Sequence, residues 1–118
     1  MFSYQKLDIY QIAKDIVKRT YTITRMLPSS EQYGLISQMN RAAISIPSNI
    51  AESSGRHSKK DKAQFISISF ASLMELTCQA EIALELEYID SLNYEEFIKA
   101  CKDLSVRLSN YRKYLFNS

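Results

Sequence analysis

Residues 56–62 read Arg-His-Ser-Lys-Lys-Asp-Lys, the densest run of cations in a chain whose formal net charge is only +2. Arg56, His57, Lys59, Lys60 and Lys62 are side chains of the type that holds phosphate. Ser58 stands where a helix would begin, and a helix N-terminus adds free N–H groups and a positive dipole. The chemistry these residues offer is contact with an anion, RNA or DNA. The ordinary alternative is a solvated corner whose lysines keep the protein soluble. A phosphate-wrapping loop is excluded, because such loops need several glycines and Gly55 stands alone. Catalysis through Ser54, His57 and Ser58 lacks a second base and a group to orient the histidine, so no residue is assigned as catalytic. Tyr111 and Tyr114, beside Arg112 and Lys113, offer rings for base stacking, although core or interface packing is their commoner role.

A second set of polar residues follows helical spacing. Gln38, Arg41, Ser45, Asn49 and Glu52 fall on one face, and Ser69 or Ser72, Glu75 and Gln79 make a comparable row further on. The ordinary alternative for both rows is a wetted face, yet few other charges flank them. The expectation is therefore that Arg41 and Glu75 meet between two helices, with Gln38, Ser45, Asn49 and Gln79 bonding around them. Such a pair fixes register more than it stabilises.

The elements that must carry these residues are helices. Only two glycines and two prolines occur, with apolar residues at 46%, which favours a few long helices over many short strands. The first helix is predicted over about 7–26 on Tyr10, Ala13, Val17, Tyr21 and Thr24, widened by Ile9, Ile12, Ile16 and Ile23. The second is predicted from Ser29 or Ser30, through a capping box at Ser29–Gln32. It continues through Tyr33, Ile36, Met39, Ala43, Ile46, Ile50 and Ala51. Pro47 should kink it, and Gly55 should end it in left-handed geometry. The third begins at a Ser58 cap and runs to about Leu86. Its apolar face is wide enough to be buried on two sides. The fourth starts at an Asn93 cap, with Phe97, Cys101, Leu104, Leu108, Tyr111 and Leu115 as its stripe. Short links then give one all-α domain over 1–118, an antiparallel up-down-up-down four-helix bundle.

Composition limits the remaining classes. Up to Met74 there are ten Lys/Arg against five Asp/Glu, and from Glu75 onward five against eight. One end of the bundle is therefore expected to be electropositive and another electronegative. The acidic side chains of Glu81, Glu85, Glu87, Asp90, Glu95 and Glu96 would pair with a basic rim on another subunit or face water. Cys78 and Cys101 lack metal-site spacing, and with one histidine no metal or cofactor is expected. Both read as buried or half-buried thiols. With no secretory leader or membrane span in the pattern, a cytoplasmic protein is expected.

The stretch YGLISQMNRAAISIPSNIAESSGRHSKKD, with Phe65, Ser72-Leu73-Met74-Glu75-Leu76 and Gln79, resembles the family of proteins encoded in intervening sequences of bacterial 23S rRNA genes. The resemblance runs over nearly the whole chain. It implies a four-helix bundle assembled as a ring-like homopentamer, without enzymatic activity. A related accessory protein of diversity-generating retroelements shares the pentameric bundle and acts with nucleic acid and a reverse transcriptase. Two positions depart from the usual pattern. Asn40-Arg41 stands where two basic residues are common, and Ser53 where glycine is common. The first departure removes positive charge.

Three functional classes remain in view. One is a self-assembling protein that binds RNA, DNA or a nucleoprotein. Another is a structural scaffold for protein partners without nucleic-acid binding. An enzyme is the formal third.

Overall fold

Four α-helices form the structure: α1 Asp8–Thr24, α2 Leu35–Ser54, α3 Lys59–Glu85 and α4 Ser91–Asn117. Two 3-10 turns, Ser3–Lys6 and Ser29–Glu31, precede α1 and α2. This computed structural model describes residues 1–117, and Ser118, the last residue of the predicted domain, lies outside them. Among the described residues there is no strand, and no helix is long and apolar enough to cross a membrane.

Each helix packs on two others, in the cyclic order α1, α2, α3, α4, while the diagonal pairs stay apart. Hydrogen bonds fix the direction. Across α2 and α3, Ser45 meets Ser72, Ile46 meets Ser69 and Ser53 meets Lys62, so one number rises as the other falls. Across α1 and α4, Arg107 Nη1 reaches Asp8 Oδ2 at 2.7 Å. All neighbours are antiparallel, as predicted. The 27-residue helices α3 and α4 rise about 40 Å at 1.5 Å per residue, which sets the 45 Å long axis.

The core is continuous and aliphatic. Ile9, Ile16, Met39, Ile46, Leu73 and Leu104 are among its fully buried side chains, and Phe97 is its largest. On α1 the buried line is Ile9, Ala13, Ile16, Thr20 and Ile23. It is rotated from the predicted line because Thr20 Oγ1 satisfies itself on the Ile16 carbonyl at 2.7 Å and can be buried.

Several helix ends differ from expectation. The Ser29–Gln32 capping box does not start α2. Those residues form a 3-10 turn, and the helix begins at Leu35, whose N–H donates to Glu31 Oε1 at 3.1 Å. Tyr33 is therefore exposed rather than in the stripe. A Cβ at Gly34 would lie 2.7 Å from the same Glu31 oxygen, so a larger residue there would have to displace the Glu31 carboxylate from its bond to Leu35. Glu31 Oε2 in turn accepts from the Tyr88 hydroxyl at 2.9 Å, so one carboxylate ties the start of α2 to the α3–α4 link. α2 runs unbroken through Pro47, itself buried. Gly55 ends α2 at φ −87°, outside left-handed geometry. The left-handed residue is Glu87, φ 63°. Tyr88 N–H donates to the Ala83 carbonyl and Glu87 N–H to the Leu84 carbonyl, each at 2.9 Å, a Schellman ending built without glycine. Ser58 caps α3 as predicted, accepting from Asp61 N–H at 3.0 Å. α4 is capped by Asp90 rather than Asn93. Asp90 Oδ1 accepts from both the backbone and the side-chain nitrogen of Asn93.

Candidate functional site

The polar rows resolve into a seam between α2 and α3. Ser45 Oγ and Ser72 Oγ lie 2.8 Å apart. Asn49 Nδ2 donates to the Ser45 carbonyl and hydroxyl at 2.8 and 2.9 Å. Ser69 Oγ donates to the Ile46 carbonyl and Ser53 Oγ to the Lys62 carbonyl. Small side chains let the backbones approach, and hydroxyls direct their protons to local acceptors. The expected centre of the seam is absent. No ion pair joins Arg41 to Glu75 among the described residues, and both are exposed. The register sets them opposite each other, but their long side chains gain more from water than from a rigid exposed pair. Gln38 is likewise exposed, and Glu52 turns to Arg56. Gln79 Nε2 donates to Glu75 Oε2 at 3.3 Å, while Gln79 Oε1 is buried without a partner.

The cationic run lies at the corner between α2 and α3. His57, Lys59 and Lys60 are exposed and Lys62 is half-buried, and none has a side-chain partner among the described residues. Arg56 is different. Its guanidinium bonds Glu52 at 3.3 Å and lies 4.3 Å from the Phe65 ring centre. It is held in place and partly neutralised. The Glu52–Arg56 spacing was legible as an i, i+4 pair; the Phe65 contact was not, because it crosses a helix boundary.

Antiparallel packing gathers further cations beside this corner. The end of α4 lies along the start of α3, where Arg112 Nε donates to Ser67 Oγ at 2.6 Å. Arg112 also stands over the Phe116 ring at 4.8 Å, and the Tyr111 and Tyr114 rings stack at 5.9 Å. The half of the bundle holding residues 1–16, 45–72 and 105–117 has nine Lys/Arg against four Asp/Glu, a balance of +5. The other half has six against nine, a balance of −3. Folding converts a modest sequence bias into charge separation along the long axis.

The family model for the 23S rRNA-intervening sequence protein matches residues 5–110. The chain belongs to this family. A protein of unknown function from the S23 ribosomal protein family of Bacteroides thetaiotaomicron has a similar solved structure, with a TM-score of 0.82 at 20% identity. The match covers 89% of this chain and 98% of that one, and it concerns the fold alone. No curated protein matches the sequence.

Within this member of the 23S rRNA-intervening sequence family, no catalytic constellation surrounds His57 among the described residues. Ser54 Oγ donates to the Ala51 carbonyl, and Ser58 Oγ is taken by its helix cap. No group of three or more His, Cys, Asp or Glu able to hold a metal occurs among the described residues. The two cysteines are free and differ in setting. Cys101 is fully buried, and burial pushes its thiol up to about 12. Cys78 is exposed, contrary to the expectation that both were covered, because it lies on the outward side of α3.

Proposed function

We propose that this family member is a non-enzymatic, self-assembling bundle that takes nucleic acid or a nucleoprotein on its basic end. The carrying observation is the axial separation of charge, with His57, Lys59, Lys60 and Lys62 unpaired at the positive end. Unpaired lysines at a helix start can release counterions from phosphate without first breaking internal salt bridges. The exposed Tyr114 and Phe116, at 63% and 49%, add rings beside those charges. The ring of five implied by the family resemblance would set five basic ends on one rim. Weak contacts would then add by avidity. The two free thiols support a cytoplasmic setting.

A mobility-shift titration with single-stranded RNA, structured RNA and duplex DNA at two salt concentrations tests the reading. The expected result is a shift at low salt that weakens steeply as salt rises. No shift at low salt rejects it. The scaffold reading, in which only protein partners bind, is favoured by one separate feature, the apolar outer side of α3.

A further inference from the structure

The outward side of α3 is an apolar ridge with acidic edges. Ile68, Ala71, Met74, Cys78, Ile82 and Leu86 succeed one another at three- and four-residue steps, and all are exposed. The ridge is about 27 Å long at 1.5 Å per residue. Glu75, Glu81 and Glu85 edge it, and no Lys or Arg occurs between Lys62 and Lys99.

The side formed by α1 and α2 has the opposite character. An open groove of about 410 Å³ there is lined by Tyr10, Val17, Ile44, Pro47, Ser48 and Ala51, with Lys14 and Lys18 at its edge and no carboxylate. Ile44 is 45% exposed within it. Towards the other end of the bundle, the exposed Arg25 and Arg41 continue the positive character.

Register sets these features at matching heights. Ser45 lies beside Ser72 and Thr24 beside Asn40. If two copies stand side by side with parallel axes, the Ile68–Met74 part of one ridge comes level with the other's groove around Ile44. Glu75 and Glu81 then come level with Arg25 and Arg41.

We propose that the α3 ridge of one copy seats in the α1–α2 groove of a second copy. This rests on the self-assembly reading above and specifies its contact. The occupant is argued from apolar fit, opposite charge and equal height, and from the failure of Arg41 and Glu75 to pair within one chain. The charged pair that their spacing predicts is satisfied between copies. Ridge and groove are different surfaces, so the contact is heterologous and each copy keeps one free ridge and one free groove until a ring closes.

The test uses the full chain and two surface variants, Ile44→Glu in the groove and Ile68→Arg on the ridge. Light scattering after gel filtration gives the mass, and circular dichroism verifies the fold. The unaltered chain is expected to be oligomeric and each variant monomeric. An equimolar mixture should give a 1:1 heterodimer that grows no further, since one intact ridge meets one intact groove. In the unaltered chain, Cys78 should react with a thiol reagent at least tenfold more slowly than in either monomeric variant. Lys18→Glu and Ala71→Arg replace the first pair if either fails to fold. Oligomeric variants overturn the ridge-and-groove contact but leave self-assembly standing. Monomeric variants that do not combine also overturn it. A monomeric unaltered chain at every concentration overturns both.

Discussion

The hydroxyl oxygens of Ser45 and Ser72 lie 2.8 Å apart, at the middle of the antiparallel α2–α3 seam. On either side, Ser69 bonds the Ile46 carbonyl and Ser53 the Lys62 carbonyl. Register between these two helices is thus set by short polar side chains with neutral partners. A charged pair is not needed for it, which leaves Arg41 and Glu75 free for contacts outside the chain.

Ser69 is the member of that seam whose loss should be felt most, because it is fully buried. Ser69→Ala removes its bond to the Ile46 carbonyl, and a cost of about 1 kcal/mol is expected. Ser69→Leu must also push α2 and α3 apart, and overpacking of a tight contact costs about 1–3 kcal/mol. Urea unfolding of both variants checks the order. A leucine variant as stable as the parent would mean the seam is loosely packed.

Sequence pattern carried the helices and their packing faces because apolar spacing at three and four residues survives folding unchanged. Ile46, Ile66, Leu73, Leu104 and Leu108 lie where that spacing puts them. Helix ends were less legible, since several residues near each boundary can act as caps. Ser29 and Asn93 both fit a cap pattern, but Glu31 and Asp90 reach the free N–H groups instead. Glu87 gives no sequence sign of left-handed geometry; its strain is imposed by the turn into α4. The candidate site was legible as a list of cations. Its charge separation was legible as a bias between ends of the bundle, but which helix ends carry it was not, because that depends on which ends fold together.

The Glu87 backbone offers a stabilising change. At φ 63° a side chain crowds the following carbonyl, a cost of roughly 1–2 kcal/mol that glycine avoids. Glycine gives some of this back through its freer unfolded chain. Glu87→Gly is therefore expected to raise stability by about 0.5–1 kcal/mol, read as a higher urea midpoint at unchanged slope. A lower midpoint would mean that Glu87 is held by something other than the Schellman ending.

The two thiols should behave oppositely. At pH 8 the folded single chain, as in a monomeric surface variant, is expected to expose one reactive thiol, Cys78, with Cys101 reacting only on unfolding. Burial raises Cys101 from 9.0 to about 12. Between those values the unfolded chain loses this proton and the folded chain keeps it. Stability is therefore full below pH 9 and falls as pH rises towards 12. Tyr88, raised first by its bond to Glu31, and Tyr94 and Tyr111, raised by burial, act in the same direction. Cys101→Ala should lower stability at pH 8 through the cavity it leaves, yet lose less than the parent between pH 8 and pH 11. Equal losses in urea unfolding at the two pH values would show that the thiol does not titrate with folding.

At the basic end, the cations should differ in their effect on nucleic-acid binding. Lys59 and Lys60 are exposed and unpaired, whereas Arg56 is engaged by Glu52 and Phe65. Removing one cation that neutralises a phosphate should reduce the slope of log affinity against log salt by about 0.7–0.9. Lys59→Gln with Lys60→Gln should therefore flatten the slope by about 1.4–1.8 units per engaged subunit and weaken binding at low salt. Arg56→Gln should change the slope by less than about 0.7 units, because its charge is already partly neutralised by Glu52. Filter-binding titrations across a salt series give these slopes. An Arg56 effect larger than that of the two lysines together would move the binding surface off the start of α3 and onto the end of α2.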